Sequence, residues 1–480
     1  MLENVNSLAN ICCERNGTLK TCYDHGQITL NEFLDIQAGK VRKNLGITPL
    51  CSPEDFFSLA ENFTSERVGP ELAKKVNSAL RLGAICAADH HGGIYCAQTF
   101  QSDLLFGQLL KKLGGEDYKN VIPVISCGQV ELNSSTYARG IMSFMNRDNI
   151  LHFPIFPSKP RPLLAFSAPA MSQEMLSRFR KRFIRNSGIL ESALNEILSS
   201  VYEHENIINC SRFESQVTKI GAELSHGLFK ANSPVIVYLE MESLLTPLLI
   251  RELKDGNNLI ARLLFDSRFK KYLSHELLCD VLFKFVDEQG RNIAIKFTPE
   301  NILSGRDFDG NDIAIPLELE NILSLIEQRK LIPGIFLLAL ITIFERGLTW
   351  INGVFASVYL PLWQEKLINI LESEGMIYES NIIREYDMTG YICGPVFAVC
   401  QGEGYITPAG PVEFWISKPD FNYIESLMNK TLLWDSQIMG LTTMYEDIIN
   451  SHERENNWYK TITEGSNNCF NFKENIIINV

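Results

Sequence analysis

A chain of 480 residues with 45% hydrophobic and 21% charged side chains has the composition of an ordinary folded protein, which excludes intrinsic disorder. Single cores stop growing at roughly 250–300 residues, so two closely packed domains are expected. A net charge of −13 excludes the electrostatic grip on nucleic acid that a concentrated lysine and arginine face supplies.

Residues 1–17 lack the basic region followed by an apolar one that marks a secretory signal. The twelve cysteines are scattered, with no CxxC pair and no dense disulfide framework. Reduced thiols and a cytoplasmic location are therefore expected. Residues 1 to about 75 read as polar helices punctuated by Pro49, Pro53 and Pro70. The pattern then changes. A short apolar run at 82–88 (LGAICAA) leads into Asp89-His90-His91-Gly92-Gly93, an amphipathic helix over 100–113 stopped by Gly114-Gly115, and a second apolar run at 121–127 (VIPVISC). This is the outline of a βαβ unit. It predicts adjacent parallel strands at 82–88 and 121–127, with their C-terminal loops on one edge of the sheet.

The outline recurs at 163–168 (LLAFSA), which leads through Pro169 into a helix over 172–184 capped by Ser172. Residues 150–156 read as extended. The basic run Arg178, Arg180, Lys181, Arg182 and Arg185 reads as a solvated helix face. From 187 to 290 the pattern is mainly helical, and 235–241 fits strand or helix. A turn-rich stretch follows at 298–312, then helices over 317–374. Within these, 331–344 (LIPGIFLLALITIF) is a buried core helix, too short at roughly 14 residues to span a membrane, which takes about 20. A late hairpin is expected from 392–399, 405–406 and 412–416. The fold class is mixed α/β (α+β). An N-terminal sheet domain carrying the βαβ unit, 1–186, packs against a mainly helical region with a late hairpin, 187–480.

Open α/β sheets bind ligands outside the carboxyl ends of their strands, where this chain places an acid and two of its eight histidines. Imidazole titrates near neutrality and is the commonest metal ligand. Asp89, His90 and His91 are thus candidates for acid–base work or metal ligation. The bland alternative is a loop capped by Asp89 with a histidine bonded to backbone. The tripeptide resembles that of the DHH phosphoesterases, but residues 1–80 carry only Asp24-His25 where those enzymes need further aspartates and a histidine. No membership follows. On the second loop, Cys127 stands beside Gly128 as a nucleophile would, although a free cysteine is more often a small buried hydrophobe. Beyond it, Asn133, Tyr137 and Arg139 are candidate substrate-binding groups, with the guanidinium suited to a carboxylate or phosphate.

Glu240 and Glu242 share one face if 235–241 is a strand and diverge if it is a helix. Carboxylates in so apolar a segment need a cation or donors. His226, near a helix end, is a candidate ligand that Glu223 could orient at i,i+3 spacing. Residues 306–311 (RDFDGN) superficially resemble the aspartate motif of haloacid-dehalogenase-type phosphatases but do not end a hydrophobic strand, and read as a polar turn. No P-loop, GxGxxG, HExxH, GxSxG or EF-hand pattern occurs.

The leading expectation is an enzyme acting on a small polar or anionic metabolite: a hydrolase, lyase or transferase. In one version His90 or His91 joins His226 and Glu242 around a divalent metal. In the other, Cys127 is a metal-free nucleophile paired with a histidine. The competing class is a non-catalytic interaction or effector protein, with the apolar helix and the aromatic segment 350–363 facing a partner. Neither nucleic acid nor membrane is an expected partner, and homo-oligomerisation stays open.

Overall fold

The computed structural model describes residues 2–87, 97–132, 142–145, 150–153, 155–156, 163–183, 191–273, 281–392, 394–402, 405–469 and 474–479. The fold is mixed α/β, with a parallel four-stranded sheet and a largely helical C-terminal region. The strand order is Thr349–Ile351, Ala84–Cys86, Val121–Ser126, Val235–Glu240. Cys86 pairs in parallel with Val124, and the helix Ala97–Gly114 connects the two strands. The expected parallel pair and its crossover helix are therefore present.

Parallel strands covered on both faces need apolar residues at every position, and all six residues of Val121–Ser126 are buried. The two-residue period of a strand then divides these side chains between two cores. Ile122, Val124, Ile236 and Tyr238 face the core that holds the crossover helix. Val121, Ile125, Val237 and Leu239 face the core built with the helices Glu54–Val68, Pro70–Leu80 and Met241–Lys254. Close packing on the first face depends on Gly221 of the helix Phe213–Ser225, where a Cβ would lie 2.6 Å from the Tyr238 ring.

The second βαβ unit is not formed. Leu163 and Leu164 make only isolated bridges, to Arg291 and Glu131, and Ala165–Ser167 is a single helical turn. The run is apolar because Leu164, Ala165 and Phe166 are buried, and burial alone does not make a strand. The helix Gln173–Phe183 does form, with Arg178 paired to Glu174 and Arg180 to Glu203 at the surface; Arg185 lies outside the described residues. The remaining sheet strands come from beyond residue 187, so the sheet draws on both sides of the expected boundary.

Between 283 and 333 the chain is richer in strand than its sequence suggests. Phe283–Val286 pairs antiparallel with Leu331–Pro333 and with Asn292–Ile293. Ile302–Arg306 pairs with Ile295–Thr298 and Asp312–Pro316, and the RDFDGN segment is the turn between its last two strands, with Gly310 at φ +87. The apolar 331–344 segment is thus a short strand, then buried helix from Ile335 to Phe344. Gly334 breaks it because a Cβ there would lie 2.0 Å from the Val281 carbonyl oxygen. The late hairpin pairs Val399–Gly402 with Tyr405–Pro408. Residues 412–416, expected as strand, lie in the helix Pro411–Ser417, which Pro411 and a Gly410/Glu413 capping box start. No described helix is long and apolar enough to cross a membrane.

Candidate functional site

The site is built where two neighbouring strands end. Val121–Ser126 runs into Cys127-Gly128-Gln129, while Val235–Glu240 turns directly into the helix Met241–Lys254. The ambiguity of 235–241 resolves as both: Glu240 closes the strand and Glu242 occupies the first turn of the helix. That turn aims Glu242 at the neighbouring strand end. The Gly128 N–H donates to both of its carboxylate oxygens, at 3.0 and 2.9 Å, and the Cys127 thiol donates to Oε1 at 3.4 Å. Position 128 must be small, because a Cβ would sit 3.0 Å from Glu242 Oε2 and 3.1 Å from Phe166 Cβ.

Glu242 is 1% exposed. Burial pushes its carboxyl up to about 7, against the downward pull of the Gly128 N–H and of Cys127 and Gln129. Burial, reinforced by the Glu242 charge, likewise holds the Cys127 thiol well above its ordinary value. A thiol in that condition is a hydrogen-bond donor and not the thiolate that nucleophilic attack requires.

Charged groups surround this pair. Glu240, also buried, receives Arg67 Nε at 3.1 Å, and the Arg67 guanidinium lies over the Phe63 ring at 4.2 Å. Burial raises the Glu240 carboxyl and Arg67 opposes it. Arg329 bonds Glu214 at 2.8 Å, Ser243 Oγ at 3.0 Å and the Phe166 carbonyl at 3.2 Å, and stacks on the Phe166 ring at 3.8 Å. Behind the sheet a further buried acid, Asp103, accepts from the Tyr238 hydroxyl at 2.5 Å and the Cys86 thiol at 3.9 Å. Burial raises its carboxyl too.

Of the residues singled out in the sequence, the structure brings Cys127 and Glu242 together. It separates His226 from them. Ser225, beside His226, accepts the Ile236 N–H at 2.9 Å, which fixes the exposed His226 at the amino end of the strand whose carboxyl end leads to Glu242. A cation shared by His226 and Glu242 is therefore ruled out by strand length, since six residues span about 20 Å at 3.3 Å each. Asp89, His90, His91, Asn133, Tyr137 and Arg139 lie outside the described residues.

Among the described residues one other group has ligand atoms spaced for a cation: Cys51, Glu252 and Glu345, all within 4.8 Å of one another. It belongs to the opposite edge, just before Thr349–Ile351, and is organised around the fully buried Arg346. That guanidinium reaches Asp55 at 2.8 Å, the Ile341 carbonyl at 3.0 Å, Glu345 at 3.3 Å, and Glu252. Among the described residues no hydrogen-bond donor reaches Glu345 Oε1, and burial, reinforced by the Glu252 charge, pushes this carboxyl up to about 8. The group therefore reads as an ion-pair network in which Glu345 holds a proton.

No protein-family model matches this chain, and no curated protein is similar to it. The functional reading consequently rests on the site itself. Its contributors Arg67, Glu214 and Arg329 carried no signal in the sequence, because each reaches the strand ends from a distant segment; Ser243 stands beside Glu242 but is unremarkable by residue type. Gln129 lay inside the segment noted around Cys127.

Proposed function

We propose that the chain is an enzyme acting on a small polar or anionic metabolite at the carboxyl edge of its parallel sheet, with Glu242 as the general acid/base. One observation carries the reading: a buried carboxyl, pushed up to about 7 and held by a strand-end N–H. At neutral pH such a group is poised both to take and to give a proton, which an ordinary surface glutamate is not. Its position outside two parallel strand ends is where open α/β sheets place their ligands. The Gly128 N–H and the Cys127 thiol hold the carboxyl in place, and Arg67 and Arg329 keep the flanking acids Glu240 and Glu214 paired. In sequence, Asp89, His90 and His91 follow the adjoining strand and Arg139 follows the Cys127 strand. The reading assigns the first three to proton transfer and Arg139 to the substrate's anionic group. With Cys127 protonated and His226 remote, the proposed reaction is acid–base and not thiolate chemistry.

The test is incubation of the purified full chain with a metabolite extract, followed by mass spectrometry. A metabolite converted by the wild type, with conversion lost roughly a hundredfold or more in Glu242→Gln, supports the reading provided far-UV circular dichroism is unchanged. Conversion that survives in Glu242→Gln removes Glu242 from the chemistry. An inert wild type that instead retains a stable hetero-partner overturns the enzyme in favour of an interaction protein.

A further inference from the structure

Apart from the strand ends at Glu242, the molecule contains a cavity of about 440 Å³ beside the helix Leu30–Leu45. Its floor is the helix Leu30–Leu45, whose Gln37 accepts the Tyr391 N–H at 3.1 Å, and Thr18 and Ser357, bonded to each other at 2.6 Å, close one end. Phe33, Ile36 and Val358 give it apolar walls. Lys40 and His25 are its basic residues.

The Lys40 ammonium donates to the Thr389 carbonyl and hydroxyl, both at 2.8 Å. An ammonium has three N–H donors, and among the described residues the third has no acceptor. No carboxylate of the described residues forms an ion pair with it. The nearest acid, Asp387, accepts from the Thr389 N–H at 2.9 Å and hydroxyl at 2.6 Å. Burial weakens the ammonium's hold on its proton, and Asp387 pulls the other way. An ammonium with a spare donor at the edge of an apolar chamber offers a charge-assisted hydrogen bond to an anion whose body the chamber encloses. The volume lies within the range of small-molecule sites, roughly 300–1,000 Å³.

We propose that this cavity binds a small amphipathic monoanion, an apolar body carrying one carboxylate or sulfonate, with Lys40 holding the anionic group and Phe33, Ile36 and Val358 enclosing the rest. The site is independent of the one at Glu242.

Two fluorescent probes of nearly equal shape test it on the full chain: 8-anilinonaphthalene-1-sulfonate, which carries the anion, and neutral N-phenyl-1-naphthylamine. The wild type binds the sulfonate saturably at one site. Lys40→Met weakens the sulfonate roughly tenfold or more while the neutral probe moves by less than about threefold, since one charge-assisted bond is lost. Lys40→Arg keeps the sulfonate within about threefold because the charge stays. Ile36→Trp, at a position 44% exposed and tolerant of bulk, fills the chamber and weakens both probes. The proposal is overturned by absent or unsaturable binding, by equal loss of both probes in Lys40→Met, by Lys40→Arg behaving as Lys40→Met, or by Ile36→Trp leaving both probes unaffected.

Discussion

Replacing Glu242 by Gln tests the buried acid through stability alone. The carboxyl rises from an ordinary 4.5 to about 7 in the folded chain. A raised pKa means that the native state keeps a proton the unfolded chain has released, so the group's contribution is fully present below 4.5 and is lost as pH rises through 7. At about 1.4 kcal/mol per unit, the whole loss is about 3.5 kcal/mol. Gln cannot ionise and contributes no such slope. It still accepts the Gly128 N–H but gives the Cys127 thiol a poorer partner, a cost of about 1 kcal/mol. Urea unfolding at about pH 5 and about pH 8 should therefore show the variant slightly less stable than wild type in acid and more stable by about 1–2 kcal/mol in base. A difference that changes by less than about 0.5 kcal/mol between the two conditions would refute the assignment of a raised pKa.

Three further outcomes follow from other parts of the fold. Arg346→Met leaves Asp55 and Glu252 with only the half-exposed Arg251 and should cost about 2–4 kcal/mol in urea unfolding; an unchanged midpoint would show that Arg251 alone compensates the acids. Thr29→Ala removes the side-chain half of the capping box at the start of Leu30–Leu45, the hydroxyl that accepts the Glu32 N–H, and leaves the Thr29 N–H bonded to the Glu32 carboxylate; the expected loss is about 1 kcal/mol by the same measurement. Gly334→Ala drives a Cβ to 2.0 Å from the Val281 carbonyl oxygen. Because backbone, not a flexible side chain, must yield, a loss of about 2 kcal/mol or more is expected, and wild-type stability would show that the 281–334 contact relaxes freely.

The βαβ unit was legible because all its signals are local: two apolar runs, a helical period between them and a glycine stop, within 82–127. The other two strands of the parallel sheet were not. Val235–Glu240 reads ambiguously because the switch from strand to helix falls at Met241, inside the apolar window, while 163–168 has a strand's composition without a strand's partners. What separates these two cases is pairing to distant segments, which a run of seven residues does not encode. The site shows the same division. Cys127 and Glu242 each drew notice from residue type and setting, yet their contact joins positions 115 apart. The carboxylate argument correctly required donors for Glu242, and among the described residues these are the Gly128 backbone N–H and the Cys127 thiol. His226 was grouped with the acid by chemistry alone, and strand direction places it at the wrong end.

The sheet's order also bears on synthesis. Ala84 pairs with Thr349, so that ladder closes a loop of 265 residues (349 minus 84). On a ribosome adding about 5–20 residues per second, the edge of Ala84–Cys86 waits about 13–50 s for its partner after it emerges. An unpaired strand edge templates association with other chains. Asn44 of the Leu30–Leu45 helix waits as long, since its side chain bonds the Thr349 hydroxyl and the Asp387 carbonyl. The helix Leu30–Leu45 therefore takes its final place only once translation has passed residue 387, and chains released before residue 349 carry an open β edge.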